Sequence, residues 1–159
     1  MTIEDDISFF ERVPTLSQLG RQALRILAIG CETRHLHGGE VLFLAGQDAD
    51  GGYVVQSGRF TLSATEDGKE VTVGPLTLLG ELALFTETRR PATATALEAA
   101  TVLRIPRPLF VKMLDSFPDV ARKLREVLAV RLDQSTREII NVRAVLDAHM
   151  PKSSKIDGP

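Results

Sequence analysis

An α+β fold is predicted by three features of the 159-residue sequence: a β-roll or jelly-roll barrel, flanked by N-terminal helices and a long C-terminal helix. Between Cys31 and Ile105, short apolar runs alternate with turn signals, the signature of many short strands. Ahead of that stretch, apolar residues recur at three- and four-residue spacings. Behind it, helical patterning from Pro118 to about Ala148 meets no internal proline or glycine.

Taken in order, Asp5 to Arg12 holds Phe9 and Phe10 and predicts one or two helical turns, interrupted by Pro14. Ser17 to Ile29 carries Leu19, Ala23, Leu24, Ile26, Leu27 and Ala28 on one face, with Gly30 as a stop, and predicts an amphipathic helix. Strands are predicted at Val41 to Leu44, Tyr53 to Val55, Phe60 to Leu62, Val71 to Val73, Ala92 to Ala96 and Thr101 to Ile105. The turns between them are Gly38-Gly39, Asp50-Gly51-Gly52, Ser57-Gly58, Asp67-Gly68 and Gly74-Pro75. So many short strands must close or pair their edges, which favours a barrel or jelly roll. Pro106 and Pro108 open a helix through Phe110, Met113 and Leu114, and Pro118-Asp119 opens the last one. One domain over 1–150 is expected, followed by a loose polar tail at 151–159.

Composition bounds the function. With 43% hydrophobic and 25% charged residues the chain can bury a core. A net charge of -2 and a pI near 5.9 give none of the basic footprint of a nucleic-acid binder. The single Cys31 cannot form an internal disulfide, and no apolar run reaches the ~18 residues of a membrane span. A cytoplasmic protein without nucleic-acid or membrane partners is expected.

The chemistry concentrates in Gly80-Glu81-Leu82-Ala83-Leu84-Phe85, followed by Arg90-Pro91-Ala92-Thr93. Glycine ahead of a short helical run lets backbone approach a ligand and leaves N–H groups pointing at an anion. Arg90 offers a planar fork of donors suited to two oxygens of one phosphate, with Arg89 as the alternative. The Glu81 carboxylate is an acceptor, so it calls for a hydroxyl or a cation, such as a ribose 2′-OH. Phosphate plus ribose points to a nucleotide. The segment resembles the phosphate-binding cassette of the cyclic-nucleotide-binding domain family. That resemblance implies that Glu81 takes the ribose hydroxyl, that Arg90 takes the cyclic phosphate, and that amides of the short helix, Ala83 among them, add donors. The register ending in Ala92-Thr93 favours Arg90 over Arg89.

Leu128, Leu132, Ser135, Ile139, Val142, Leu146 and His149 alternate spacings of four and three, a coiled-coil type of seam that implies a partner helix. The competing expectation is that this stripe packs on the chain's own β-roll. The helix resembles the dimerising helix of the family's catabolite-activator branch, which implies a homodimer in which Ser135 and Thr136 read adenine, one of them across the dimer, beside Arg131. Three departures from the family pattern stand out. No helix-turn-helix follows the last helix, so no DNA-reading module is expected. Pro91 removes an N–H donor next to Arg90, and the hydroxyl associated with cyclic GMP preference is missing there, which tilts the choice toward cyclic AMP. Gly74-Pro75-Leu76-Thr77 lacks the glycine usual just before the cassette.

A rival reading is enzymatic. His35-Leu36-His37 with Glu40 and Gly46 is close to the first metal motif of cupins, although His149 is the sole other histidine. Cys31 reads as a small buried apolar residue, and no nucleophile motif is present. The expectation is a non-catalytic, stand-alone cyclic nucleotide sensor that prefers cyclic AMP over cyclic GMP, needs no cofactor and works through an unknown effector protein. The alternative is a degenerate interaction module that binds no nucleotide.

Overall fold

A computed structural model describes residues 2–64 and 68–135, with 127–135 described as backbone alone. Helix α1 (Ile3–Phe10) starts at a capping box: the Asp5 amide donates to Thr2 Oγ1 and the Thr2 amide to Asp5 Oδ2, both at 3.1 Å. Its buried face, Ile7 and Phe10, meets α2 (Arg21–Gly30), which buries Ala23, Leu24, Leu27 and Ala28. Exposed ion pairs from Glu4 and Glu11 to Arg21 and Arg25 decorate this contact. Pairs so exposed stabilise little, so apolar burial holds the two helices together.

The helix expected from Ser17 to Ile29 divides in two. Leu16–Gln18 forms a 3-10 turn, and Gly20, with φ 85, redirects the chain into α2. Residues other than glycine avoid that backbone region, so the apolar periodicity continues across a break that only the glycine marks. Gly30 is the last residue of α2, and a Cβ there would lie 2.6 Å from the Leu109 side chain. Its smallness lets α2 pack against the following helical layer.

Ten strands follow among the described residues, all paired antiparallel. One sheet has the order β1 (Glu32–Leu36), β10 (Ala100–Pro106), β4 (Gly51–Ser57), β7 (Leu78–Leu79). The second runs β2 (Val41–Phe43), β9 (Thr93–Ala96), β5 (Phe60–Ser63), β6 (Glu70–Val73), and a ribbon joins β3 (Asp48–Ala49) to β8 (Thr88–Arg89). Side chains of both larger sheets, including Leu36, Phe43, Tyr53, Val55, Phe60, Ala94 and Val102, share one core. Val54, Leu103 and Ile105 project from the opposite face into a second core with the helices. The period of two along a strand thus sends Tyr53 and Val55 into the roll and Val54 toward the helices, which is why β4 reads as continuously apolar. The α+β roll with flanking helices is the observed architecture.

Helix α3 (Arg107–Ser116) carries Pro108 in its first turn and buries Phe110 and Met113. Helix α4 (Pro118–Ser135) begins at Pro118, buries Ala121 and Leu124, packs on α3 and touches the 3-10 turn. The expected course of this helix to Ala148, the seam from Leu128 to His149, Thr136 and the tail at 151–159 lie outside the described residues or their described side chains.

Strand β4 enters the roll where Gly51 faces Pro106, and a Cβ on Gly51 would fall 2.2 Å from the Ile105 carbonyl oxygen. Backbone cannot yield as a flexible side chain does. Gly51→Ala should therefore lower unfolding stability by about 2 kcal/mol or more, read as a shifted urea midpoint; an unchanged midpoint would show that β4 and β10 can separate there at no cost.

Candidate functional site

Strand β7 pairs with β4, placing Leu79 against Tyr53, and the chain then turns through Gly80 with φ 83. Glu81 heads a single 3-10 turn, Leu82–Leu84, whose Ala83 and Leu84 side chains are buried. The Ala83 amide donates to the Gly80 carbonyl at 3.0 Å and the Leu84 amide to the Glu81 carbonyl at 3.2 Å. In this arrangement the Ala83 and Leu84 amides, expected with Leu82 to face an anion, bond within the turn.

The ribbon of β3 and β8 pairs Asp48 with Arg89 and Ala49 with Thr88. Successive residues point to opposite sides, so Arg89 and Arg90 diverge. Arg89 stays exposed, with its Nε 3.7 Å from Asp48. Arg90 turns inward to 5% exposure. Its backbone is anchored from both sides, the Arg90 amide donating to Gln47 and the Gly46 amide to the Arg90 carbonyl, each at 2.8 Å. Burial separates the two arginines: Arg90 lies inside the fold and Arg89 outside it.

Inside, the Arg90 guanidinium carbon lies 4.4 Å from the Phe43 ring centroid and 5.4 Å from that of Tyr53. Both are within cation–π range. Nη2 faces Asp50 Oδ1 at 3.9 Å, while the nearer hold on Asp50 belongs to Arg104, at 2.7 Å. Nη1 is buried and makes no hydrogen bond. Burial pushes the guanidinium below its ordinary pKa, and it remains a cation because arginine does not deprotonate in proteins. A buried cation with one donor unmet and one long ion pair is a costly arrangement unless an anion completes it.

Gly80 is required at this spot. A Cβ there would lie 2.4 Å from Arg90 Nη1 and 3.2 Å from the Gly51 carbonyl oxygen. Glu81 sits beside it, and its Oε2 accepts a hydrogen bond from the Thr15 hydroxyl. Pro91 is exposed and Ala92 is buried directly after Arg90. The turn is also pinned from α3: Arg107 Nε donates to the Ala83 carbonyl at 2.8 Å, and Nη2 donates to the Ala49 carbonyl. The structure thus gathers Gly80, Glu81, Leu82, Ala83, Arg90, Pro91 and Ala92 in one place. The backbone of Arg131 and Ser135 lies in α4 with side chains outside the description, and Thr136 lies outside it altogether.

Four residues at this site escape a reading of the motif. Phe43 and Tyr53 register in sequence as core residues of strands, and Asp50 as a turn residue. Arg107 gives no signal beyond its place between Pro106 and Pro108. The glycine missing before the cassette has a structural counterpart: Leu76, with φ 72, occupies the third position of a turn closed by the Thr77 amide on the Gly74 carbonyl. Glycine is the residue that such a position ordinarily takes.

The metal reading fits poorly. His35 Nδ1 sits 3.1 Å from Thr101 Oγ1, and Glu40 accepts from the His37 amide within its turn. No group of three metal-ligating side chains forms among the described residues. No helix among them is long and apolar enough to cross a membrane.

Substituting Gly80→Ala forces a side chain into left-handed backbone and onto Arg90. A loss of about 1–3 kcal/mol in unfolding free energy is expected, measured by denaturant titration; full stability in the variant would mean that this backbone conformation is not needed.

A cyclic nucleotide-binding-like protein of Brucella abortus superposes with a TM-score of 0.61 at 38% identity, covering 70% of this chain and 98% of that one. The regulatory domain of Toxoplasma gondii PKA, solved with cAMP, superposes with a TM-score of 0.64 at 26% identity, covering 70% of this chain and 44% of that one. An uncharacterized NTE family protein of Mycobacterium tuberculosis is 32% identical over 123 residues, or 77% of this chain. The chain spans about a fifth of the length of that relative, 21%. The model of the cyclic nucleotide-binding domain matches residues 33–117, which hold the roll, Gly80, Glu81 and the buried Arg90, and the chain belongs to that family.

Proposed function

We propose that this chain is a regulatory sensor of a cyclic nucleotide, with cyclic AMP preferred, that works in the cytoplasm as a homodimer and passes its signal to a separate effector protein. The observation that carries the reading is the buried Arg90 Nη1, a cationic donor without a hydrogen-bond partner beside Gly80 and Glu81. A cyclic phosphate supplies the missing acceptors, and a ribose hydroxyl suits the Glu81 carboxylate. The exposed Pro91 offers neither an N–H nor a hydroxyl next to the phosphate position, which leaves the choice of base to groups elsewhere. Arg131, Ser135 and Thr136 are proposed to cover the base, with the hydroxyls accepting from the adenine amine.

Homodimerisation through 118–150 is proposed from the seam of the last helix. No catalytic role is proposed for the chain itself. The curated relatives named as lysophospholipases or NTE family proteins share a segment of this size with it, which supports a module whose output lies in other protein sequence. A second reading, an interaction module that binds no nucleotide, is favoured by two observations: the Ala83 and Leu84 amides are engaged within their turn, and Pro91 lacks a donor.

Isothermal titration with cyclic AMP and cyclic GMP separates the two. Saturable binding with cyclic AMP tighter is the expected result, and no heat with either in folded, nucleotide-free protein selects the non-binding module. Arg90→Leu should cost roughly 2–5 kcal/mol of binding while leaving unfolding stability unchanged or raised, because an apolar side chain replaces a poorly paired buried cation. Unchanged affinity would remove Arg90 from the site. Ser135→Ala is expected to weaken cyclic AMP more than cyclic GMP, and equal losses would reject its reading of adenine.

A further inference from the structure

The segment that matches the family begins at residue 33, yet the site glutamate is held by a residue well ahead of it. Thr15 is 4% exposed, lies between the fully buried Val13 and Leu16, and has φ 80. Left-handed backbone is an outlier for a β-branched residue and persists only where surrounding structure determines it. That structure is identifiable. Pro14 precedes the residue, the Ser17 amide donates to the Val13 carbonyl at 2.8 Å, and α4 touches the 3-10 turn that Thr15 heads. The outcome of this conformation is a hydroxyl that donates to Glu81 Oε2.

We infer that Thr15 is a positioning residue for the nucleotide site, one that fixes the Glu81 carboxylate for a ribose 2′-hydroxyl. The inference rests on the cyclic-nucleotide reading above. A carboxylate has lone-pair sites for several donors, so the Thr15 hydroxyl and a ribose hydroxyl can share it. Glutamate has three side-chain torsions, and an acceptor already locked in one rotamer loses less entropy when the ribose arrives. The same contact places the turn between α1 and α2 under the influence of the ribose subsite. Because α4 packs on that turn, Thr15 joins the ribose subsite to the helical layer as well as orienting the glutamate.

The test compares cyclic AMP with 2′-deoxy cyclic AMP in the unmodified protein and in Thr15→Val, Thr15→Ser and Thr15→Gly. A hydroxyl on a charged acceptor makes the unmodified protein prefer the ribo form by roughly tenfold or more. Thr15→Val should reduce that preference by about threefold or more, and Thr15→Ser should keep it. Thr15→Gly relieves the left-handed backbone yet lacks the hydroxyl, so it should lose the preference while remaining folded by thermal melting. It reads the same ratio should the valine variant not fold. A merely structural Thr15 changes melting temperatures and leaves the ratio alone, and that result overturns the inference by itself. Unmodified protein that binds neither nucleotide overturns the functional reading, and the role of Thr15 with it.

Discussion

The burial of one guanidinium organises this structure. Arg90 lies inside a small β-roll, and its immediate surroundings are explicable by the need to hold a cation away from water. The Phe43 and Tyr53 rings offer their faces. Gly80 leaves room beside it, since a Cβ there would sit 2.4 Å from Nη1. The ribbon of β3 and β8, at two residues each the shortest strand pair, fixes the backbone so that Arg90 enters while Arg89 leaves. Cation–π contacts of this kind contribute about 1–2 kcal/mol when desolvated, less than the several kcal/mol that burying an ion costs. The balance is unfavourable without a further acceptor, and that imbalance is the physical basis for assigning the site to an anion.

The cassette turn is held from two directions outside the roll. Arg107, at the first position of α3, grips the Ala83 and Ala49 carbonyls and so fastens the turn and the ribbon to the start of the helical layer. Thr15 grips Glu81 from the N-terminal side. Phe85 extends the connection, with its ring 5.3 Å from that of Phe110 in α3, edge to face. Any shift of the cassette on ligand binding therefore meets three connections that lead to α3, α4 and the turn before α2. A ligand moves those helices only by as much as its affinity differs between the two arrangements. The connections name where that difference must be expressed.

Sequence carried the fold a long way for reasons that can be stated. The strands predicted at Tyr53 to Val55 and Thr101 to Ile105 are apolar because both faces are covered, one by the roll and one by helices. Strand β1 is silent because Glu32 to His35 are all exposed, and polar side chains, His35 on Thr101 and Glu32 on Arg104, accompany its backbone pairing with β10. Strands β3, β7 and β8 are two residues long, too short for any period to appear. The break at Gly20 hid because apolar spacing runs through it, and backbone sign at one glycine is not visible in a hydrophobic pattern. At the site, the cassette residues were legible as a motif with fixed spacing. Tyr53, Asp50, Arg107 and Thr15 were not, because their roles arise from contacts between residues remote in sequence, and nothing local distinguishes them.

Asp50 shows how the site can hold a partial counter-charge without filling it. Its Oδ2 is 2.7 Å from Arg104, which also bonds Glu32 at 3.0 Å, while Oδ1 reaches Arg90 at 3.9 Å. Burial raises the Asp50 carboxyl, and the Arg104 hydrogen bond and charge outweigh it, so the group is held below the usual carboxylate range. It is therefore ionised throughout the neutral range, and what it contributes to stability is present above its unfolded value and lost as pH falls through the lower folded one. Arg104 fixes Asp50 at a distance from which it screens Arg90 without hydrogen-bonding Nη1. An exposed carboxylate pulled onto a second arginine is a poor competitor for the guanidinium. An incoming anion that bonds Nη1 directly meets little resistance from it, and the nearby negative charge limits how large an anionic charge the site favours, which suits a singly charged phosphodiester better than a phosphate monoester.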